Sequence, residues 1–246
     1  MEPTMRTVSV IADGLCLSCI LHLPSCVPSA VIIGCHGLMA DKTSPKQIDL
    51  ARQCVSHGMA YCRFDHRGCG ESGGDFEKDT TLEGRMADLL AVVRDLPALL
   101  DGKNLPIGLF GSSLGGTVCL AAAHQILPFS IVTLAAPVQR QAIHLSDHSP
   151  ASLKTELRHT TLWFDITDQL SAIHHLLVIH GSNDEIVPVH NAHLIYRLSR
   201  DPKKLLILEH GDHRITDPIL QQQYTHDTVQ WFKSALSTPP TFTENA

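Results

Sequence analysis

Charge is sparse in this chain of 246 residues: Asp, Glu, Lys and Arg together make up 18%, against 43% hydrophobic residues. A disordered chain needs the reverse balance, so a packed core is expected. No run of five basic residues occurs, and 19 basic against 25 acidic side chains leave a formal net charge of −6. Nucleic acid is therefore not an expected partner, because phosphate-backbone binding depends on dense Lys and Arg. Long apolar runs are missing as well. Ala30–Gly34, Leu134–Val138 and Leu176–Ile179 fall far short of the roughly 20 residues of a membrane span. The opening stretch MEPTMRTVSVIADG has no charged segment followed by an apolar one, so no secretory leader is expected. Gly (16) and Pro (14) show no period, which excludes collagen-like chains. There is no internal repeat and no linker-like stretch. A chain of this length buries roughly 70–75% of its unfolded surface and needs no staples.

Cysteine is confined to the first half: Cys16, Cys19, Cys26, Cys35, Cys54, Cys62, Cys69 and Cys119. These lie in core-like segments, which is the pattern of reduced thiols in a cytoplasmic protein. Cys16 and Cys19 form a CxxC, but an odd separation within a strand points the two side chains to opposite faces and argues against a shared metal.

What is present is alternation. Arg6–Ala12 and Leu15–Leu23 read as strands joined by Asp13-Gly14, a hairpin signal. Ala30–Cys35 is a short apolar run suited to a strand buried on both faces. Pro45–His57 reads as a helix, with Ser44 as its N-cap and Gly58 as its stop. Ala60–Asp65 is the next strand. Leu82–Leu100 carries helical spacing that Pro97 is expected to bend or shorten. Pro106–Phe110, Phe129–Ala135, Leu176–Ile179 and Lys204–Glu209 read as further strands. Leu114–Leu127, Val189–Ser199 and Pro218–Leu236 read as helices. The βαβα rhythm from residue 30 onward implies an α/β fold with a parallel sheet covered by helices on both faces. Residues 137–173 break that rhythm, being polar and rich in His, Ser and Thr. One domain is expected over 1–246, with an insertion at about 138–173.

The chemistry sits at strand exits. Gly111-Ser112-Ser113-Leu114-Gly115 is a G-x-S-x-G between a predicted strand and a predicted helix, a context that lifts Ser113 over the sheet edge. The N–H of Leu114 stands at a helix start, where donors are unpaired and negative charge is favoured. A serine hydroxyl needs a base. His213, in the loop after the last strand, is the candidate; His210 is its competitor, still committed to the strand end. The base needs a carboxylate to fix its tautomer. Asp184, in His180-Gly-Ser-Asn-Asp184, is the candidate, with Glu185, Asp165 and Asp168 as rivals. The order Ser113, Asp184, His213 is that of nucleophile-elbow enzymes. His36-Gly37-Leu38 follows the first parallel strand and offers the Leu38 N–H as a second oxyanion donor. His36 itself is read as a brace of that loop. HExxH is absent. His190 and His193 on one helix face, and His144, Asp147 and His148 in the insertion, lack the ligands to complete a metal site, so no metal is expected. Trp163 and Phe164 are read as anchors of the insertion that also line an acyl pocket.

With these pieces, and with Phe64-Asp-His-Arg-Gly-Cys-Gly-Glu-Ser72, the chain resembles the α/β-hydrolase fold serine hydrolases over about residues 30–235. The simple His-Gly form and the small cap are similar to bacterial carboxylesterases of the feruloyl or cinnamoyl type, and also to acyl-peptidase-like and lysophospholipase-like relatives. The extended His-Gly-Gly-Gly of one lipase group is absent, and Ser113 stands where a dehalogenase has Asp. The resemblance implies a mostly parallel central sheet with an N-terminal antiparallel hairpin and a small cap, and Asp65 and Arg67 as a loop brace. It further implies hydrolysis of a small-molecule ester through an acyl-enzyme without a cofactor. Thioester and peptide substrates share every residue named, and a non-enzymatic ligand-binding role is the reading from another class.

Overall fold

The computed structural model describes residues 2–143 and 162–237. Among these residues eight strands form one sheet: β1 (Thr4–Ala12), β2 (Leu15–Leu23), β3 (Val31–Cys35), β4 (Ala60–Phe64), β5 (Ile107–Ser112), β6 (Ser130–Leu134), β7 (Leu176–Gly181) and β8 (Lys203–Leu208). Their spatial order is β1-β2-β4-β3-β5-β6-β7-β8. The β1–β2 hairpin is antiparallel and joins β4 antiparallel through Cys19↔Phe64 to His22↔Tyr61; every later pair is parallel. This is the expected mostly parallel sheet with its hairpin on one edge.

Among the described residues the helices are α1 (Pro45–Ser56), α2 (Phe76–Asp79), α3 (Leu82–Leu99), α4 (Leu114–Ile126), α5 (His190–Leu198) and α6 (Pro218–Ser237). Alternate strand residues feed two separate cores, as the two-residue pleat period requires. Val31, Ile33 and Cys35 pack into the layer of α3, α4 and α5. Ile32 points the other way, with Phe110, Val132 and Ile179, into the layer of α1 and α6. Both faces of the sheet are thus covered by helices.

Several boundaries moved for identifiable reasons. Ser44 stands at the N-cap of α1, yet its side chain makes no capping bond. Pro97 does not stop α3, which runs on to Leu99; so near the end a proline removes a single intrahelical bond. The four-residue α2, unforeseen in the sequence, is nucleated by Asp75, whose carboxylate accepts from the Lys78 N–H. β5 extends to Ser112, directly against Ser113. Cys16 is exposed and Cys19 buried, on opposite faces of β2, and all eight cysteines are free. Of the insertion, the short 3-10 turns Arg140–Ala142 and Thr167–Ala172 are described. His144, Asp147 and His148 lie outside the described residues.

Candidate active site

Because β3, β5, β7 and β8 are parallel, the segments that follow them emerge at one edge of the sheet, and the site assembles there. After β5 the chain reverses within one residue. Ser113 adopts φ 51° and ψ −126°, a conformation that costs a non-glycine residue roughly 1–3 kcal/mol. Packing on both sides enforces it. A Cβ at Gly111 would lie 2.3 Å from the Gly115 carbonyl oxygen, and one at Gly115 would lie 2.2 Å from the Cys35 carbonyl oxygen. Only glycine lets α4 approach β3 and β5 so closely. The Ser113 N–H donates to the Leu134 carbonyl at 2.7 Å, tying the turn to β6.

The exits of β7 and β8 are pressed together in the same manner, since a Cβ at Gly181 would meet the Gly211 carbonyl oxygen at 2.2 Å. That contact brings Asp184 beneath His213. The structure joins the three candidate side chains in one row: Ser113 Oγ is 3.1 Å from His213 Nε2, and His213 Nδ1 is 2.8 Å from Asp184 Oδ2. Glu185, a rival carboxylate, instead accepts from the His213 backbone N–H at 3.2 Å. Asp165 is turned toward Gln139 and Thr167. His210 is tied through its backbone to Ser182.

Asp184 is held as an anion. Its burial opposes ionisation, but donors from His180 and His213 and the backbone N–H of Val187 outweigh it and keep the carboxyl well below the usual carboxylate range. Oδ1 accepts from Ile186 N–H at 2.9 Å and Val187 N–H at 2.7 Å. A carboxylate facing Nδ1 fixes the proton there and leaves the Nε2 lone pair toward Ser113.

His180 joins this site although the sequence does not single it out. It is fully buried, with Nε2 3.1 Å from Asp184 Oδ2 and 2.7 Å from the Val187 carbonyl oxygen. The i, i+4 spacing in His180-Gly-Ser-Asn-Asp184 was the available signal. His36 is fully buried too. Its Nε2 accepts from the His66 N–H at 3.0 Å, so the ring proton is on Nδ1 and donates to the Gly37 carbonyl at 2.7 Å. Burial, with His66 and Arg85 adding to it, lowers the pKa of His36 well below its ordinary value and keeps it neutral. Asp65, also fully buried, accepts from the Lys42 ammonium at 2.5 Å and from the N–H groups of Lys42 and Glu71. Arg67 pairs with Asp88 and Asp13.

Above the row lies a cavity of about 580 Å³. Gly37, Leu38, Ser113, Leu114, His213 and Ile143 are among the residues that line it. The N–H groups of Leu38 and Leu114 have no acceptor among the described residues. A Cβ on Gly37 would lie 3.3 Å from Ser113 Cβ, so the Gly37–Leu38 loop stands directly beside the hydroxyl. Lys46 also lines the cavity, and burial pushes its ammonium down to about 8 against the opposing charges of Asp212 and Asp184. Trp163 and Phe164 are not among the lining residues. Phe164 is 2% exposed and packs in the core with Leu162 and Ile166, whereas Trp163 is 64% exposed. Alternation along an extended segment separates the two neighbours; the insertion's described contribution to the cavity is Ile143. Among the described residues no group of three or more His, Cys, Asp or Glu is placed to hold a metal. No helix among them is long and apolar enough to cross a membrane.

A family model described as "Serine aminopeptidase, S33" matches residues 27–164. Similar curated proteins include the bovine mitochondrial palmitoyl-protein thioesterase ABHD10, 26% identical over an alignment of 214 positions that covers 76% of this chain and 67% of that protein. Among solved structures, Est1E from Butyrivibrio proteoclasticus with ferulic acid bound superposes with a TM-score of 0.76 at 19% identity, covering 94% of this chain and all of that one. The Pyrococcus furiosus esterase Pf2001 superposes with a TM-score of 0.78 at 18% identity, covering 95% and 93%. At these identities the superpositions carry the fold alone.

Proposed function

Because the chain belongs to the Serine aminopeptidase, S33 family of α/β hydrolases, we propose that it is a carboxylesterase acting on small to medium acyl or aryl esters. The observation that carries this reading is the Ser113–His213–Asp184 row, with distances of 3.1 and 2.8 Å, opening onto a 580 Å³ cavity. Ser113 Oγ attacks the ester carbonyl while His213 Nε2 takes its proton. Asp184 holds the imidazolium that forms, and the N–H groups of Leu38 and Leu114 hold the oxyanion. The bond to the alcohol breaks as His213 returns the proton to it. Water, deprotonated by His213, then releases the acid and frees Ser113. The chain's own residues carry every step.

A fluorophosphonate probe tests the assignment. It should label Ser113, and Ser113→Ala should abolish turnover of p-nitrophenyl esters. Labelling elsewhere, or unchanged hydrolysis by the alanine variant, would overturn it. The similarity to proteins named palmitoyl-protein thioesterases favours a second reading, in which the same residues cleave a thioester. Comparing kcat/KM across aryl esters, alkyl esters and acyl thioesters separates the two, because discrimination lies in pocket shape. Saturable binding without turnover across that panel would instead favour a silent ligand-binding role. Eight free thiols support a cytoplasmic location, although the bovine relative carries a mitochondrial name.

A further inference from the structure

Arg85 is among the largest fully buried side chains of the protein, at 0% exposure. It comes from α3, which contributes nothing to the lining of the cavity. A buried guanidinium normally sits against a carboxylate. Here no carboxylate oxygen of the described residues lies within 4.0 Å of it. Its donors point elsewhere: Nη1 to the Gly37 carbonyl at 3.4 Å, and Nη2 to the Leu38 carbonyl at 3.3 Å and to Cys69 Sγ at 3.4 Å.

Those two carbonyls belong to the loop beside Ser113. We propose that Arg85 is a positioning residue for the hydrolysis proposed above, on which this inference rests: it holds the Gly37–Leu38 peptide so that the Leu38 N–H faces the reacting oxygen. In a trans peptide the C=O and N–H point in opposite directions. The Gly37 carbonyl is drawn inward by the Arg85 guanidinium and by the His36 Nδ1–H at 2.7 Å. The N–H of the same peptide is thereby turned outward, to the side where Gly37 meets Ser113. A cation on the carbonyl oxygen also polarises the amide and enlarges the positive end at Leu38. The donor is thus oriented before substrate arrives, which is what makes a fixed dipole effective in stabilising developing charge. The nearest charge that acts on Arg85, the buried Asp88 carboxylate, is itself bonded to the Arg67 N–H and guanidinium, so the Arg85 hydrogen bonds are left for the two loop carbonyls.

The test compares Arg85→Gln and Arg85→Lys with the unsubstituted protein on a p-nitrophenyl ester, per active site titrated with fluorophosphonate. Loss of a well-aimed oxyanion donor is worth about 10²–10³ in kcat. With the donor kept but mis-aimed, Arg85→Gln should lose about 10- to 100-fold in kcat, with KM little changed. Its affinity for an aryl boronic acid, which forms a tetrahedral anionic adduct on serine, should fall by a similar factor, and the midpoint of the pH–kcat profile should stay in place. Arg85→Lys keeps the charge but reaches one carbonyl, so its loss should be smaller; it is read alone if the glutamine variant does not accumulate folded. A merely structural arginine would lower thermal stability and the fraction of active protein, yet leave per-site kcat and boronate affinity at their original values. That result overturns the proposal while the hydrolase reading stands. Absence of both turnover and labelling in the unsubstituted protein would bring down the hydrolase reading first, and this inference with it.

Discussion

Replacing Asp184 with Asn tests the electrostatics of the site most directly. The two oxygens of Asp184 are not equivalent. Oδ1 accepts from the Ile186 and Val187 N–H groups at 2.9 and 2.7 Å, while Oδ2 faces His213 Nδ1 and His180 Nε2 at 2.8 and 3.1 Å. An asparagine has one acceptor oxygen, and the two buried backbone donors demand it. Its NH2 must then face His213. The imidazole is driven to the other tautomer, with its proton on Nε2 against Ser113 Oγ, and cannot take the serine proton. The imidazolium also loses its counter-charge. A triad carboxylate changed to its amide costs about 10⁴ in kcat in a serine protease, or roughly 5.5 kcal/mol; a similar loss is expected here. Steady-state hydrolysis of p-nitrophenyl acetate measures it, with KM little changed and fluorophosphonate labelling slowed in parallel. A kcat within about tenfold of the original, under roughly 1.4 kcal/mol, would refute the reasoning. Stability carries a second signature. Because the native carboxyl is held below its ordinary range, its contribution is full above the unfolded pKa of about 3.9 and is lost as pH falls below it. The Asn variant lacks that pH-dependent loss.

Gly115→Ala should fail to accumulate folded protein or lose more than the roughly 1–3 kcal/mol of ordinary overpacking, because its Cβ would meet the Cys35 carbonyl oxygen at 2.2 Å; urea unfolding reads this. Lys42→Met should cost about 3–5 kcal/mol, since it leaves the fully buried Asp65 without its ammonium partner; an unchanged denaturation midpoint would contradict that. Burial and the Arg63 charge push His22 down from 6.5 to about 4, and its Nε2 accepts from the Arg63 Nε–H at 2.8 Å. The unfolded chain therefore binds the proton more tightly. Stability should be full above about pH 6.5 and fall by at most about 3 kcal/mol as pH drops to 4, and chemical denaturation of His22→Gln across that range should show a flatter profile.

What the sequence made legible was local. Gly111 to Gly115 specify a strand, a reversal and a helix within a few residues, so the position of Ser113 could be read directly. The same holds for the β1–β2 hairpin at Asp13-Gly14. The identity of the partners needed only chain order and strand exits. Interactions across long separations were not legible. Arg85 is 48 residues from Gly37, and nothing in the helical spacing of α3 marks it as more than a polar face. His180 was read as part of a strand exit, because its contact with Asp184 depends on how the turn after β7 folds back. Trp163 and Phe164 looked equivalent as aromatic neighbours, and only the packing of the insertion separates a buried ring from an exposed one.

The common direction of β3, β5, β7 and β8 has a practical consequence for redesign. The side chains of the proposed triad follow the ends of stiff, hydrogen-bonded rails, whereas the walls of the cleft come from Met39, Ile143 and other residues of the intervening segments. Swapping those segments should change which acyl or alcohol portion fits while the machinery beneath keeps its alignment, so libraries confined to the cleft walls offer a direct route to new selectivity.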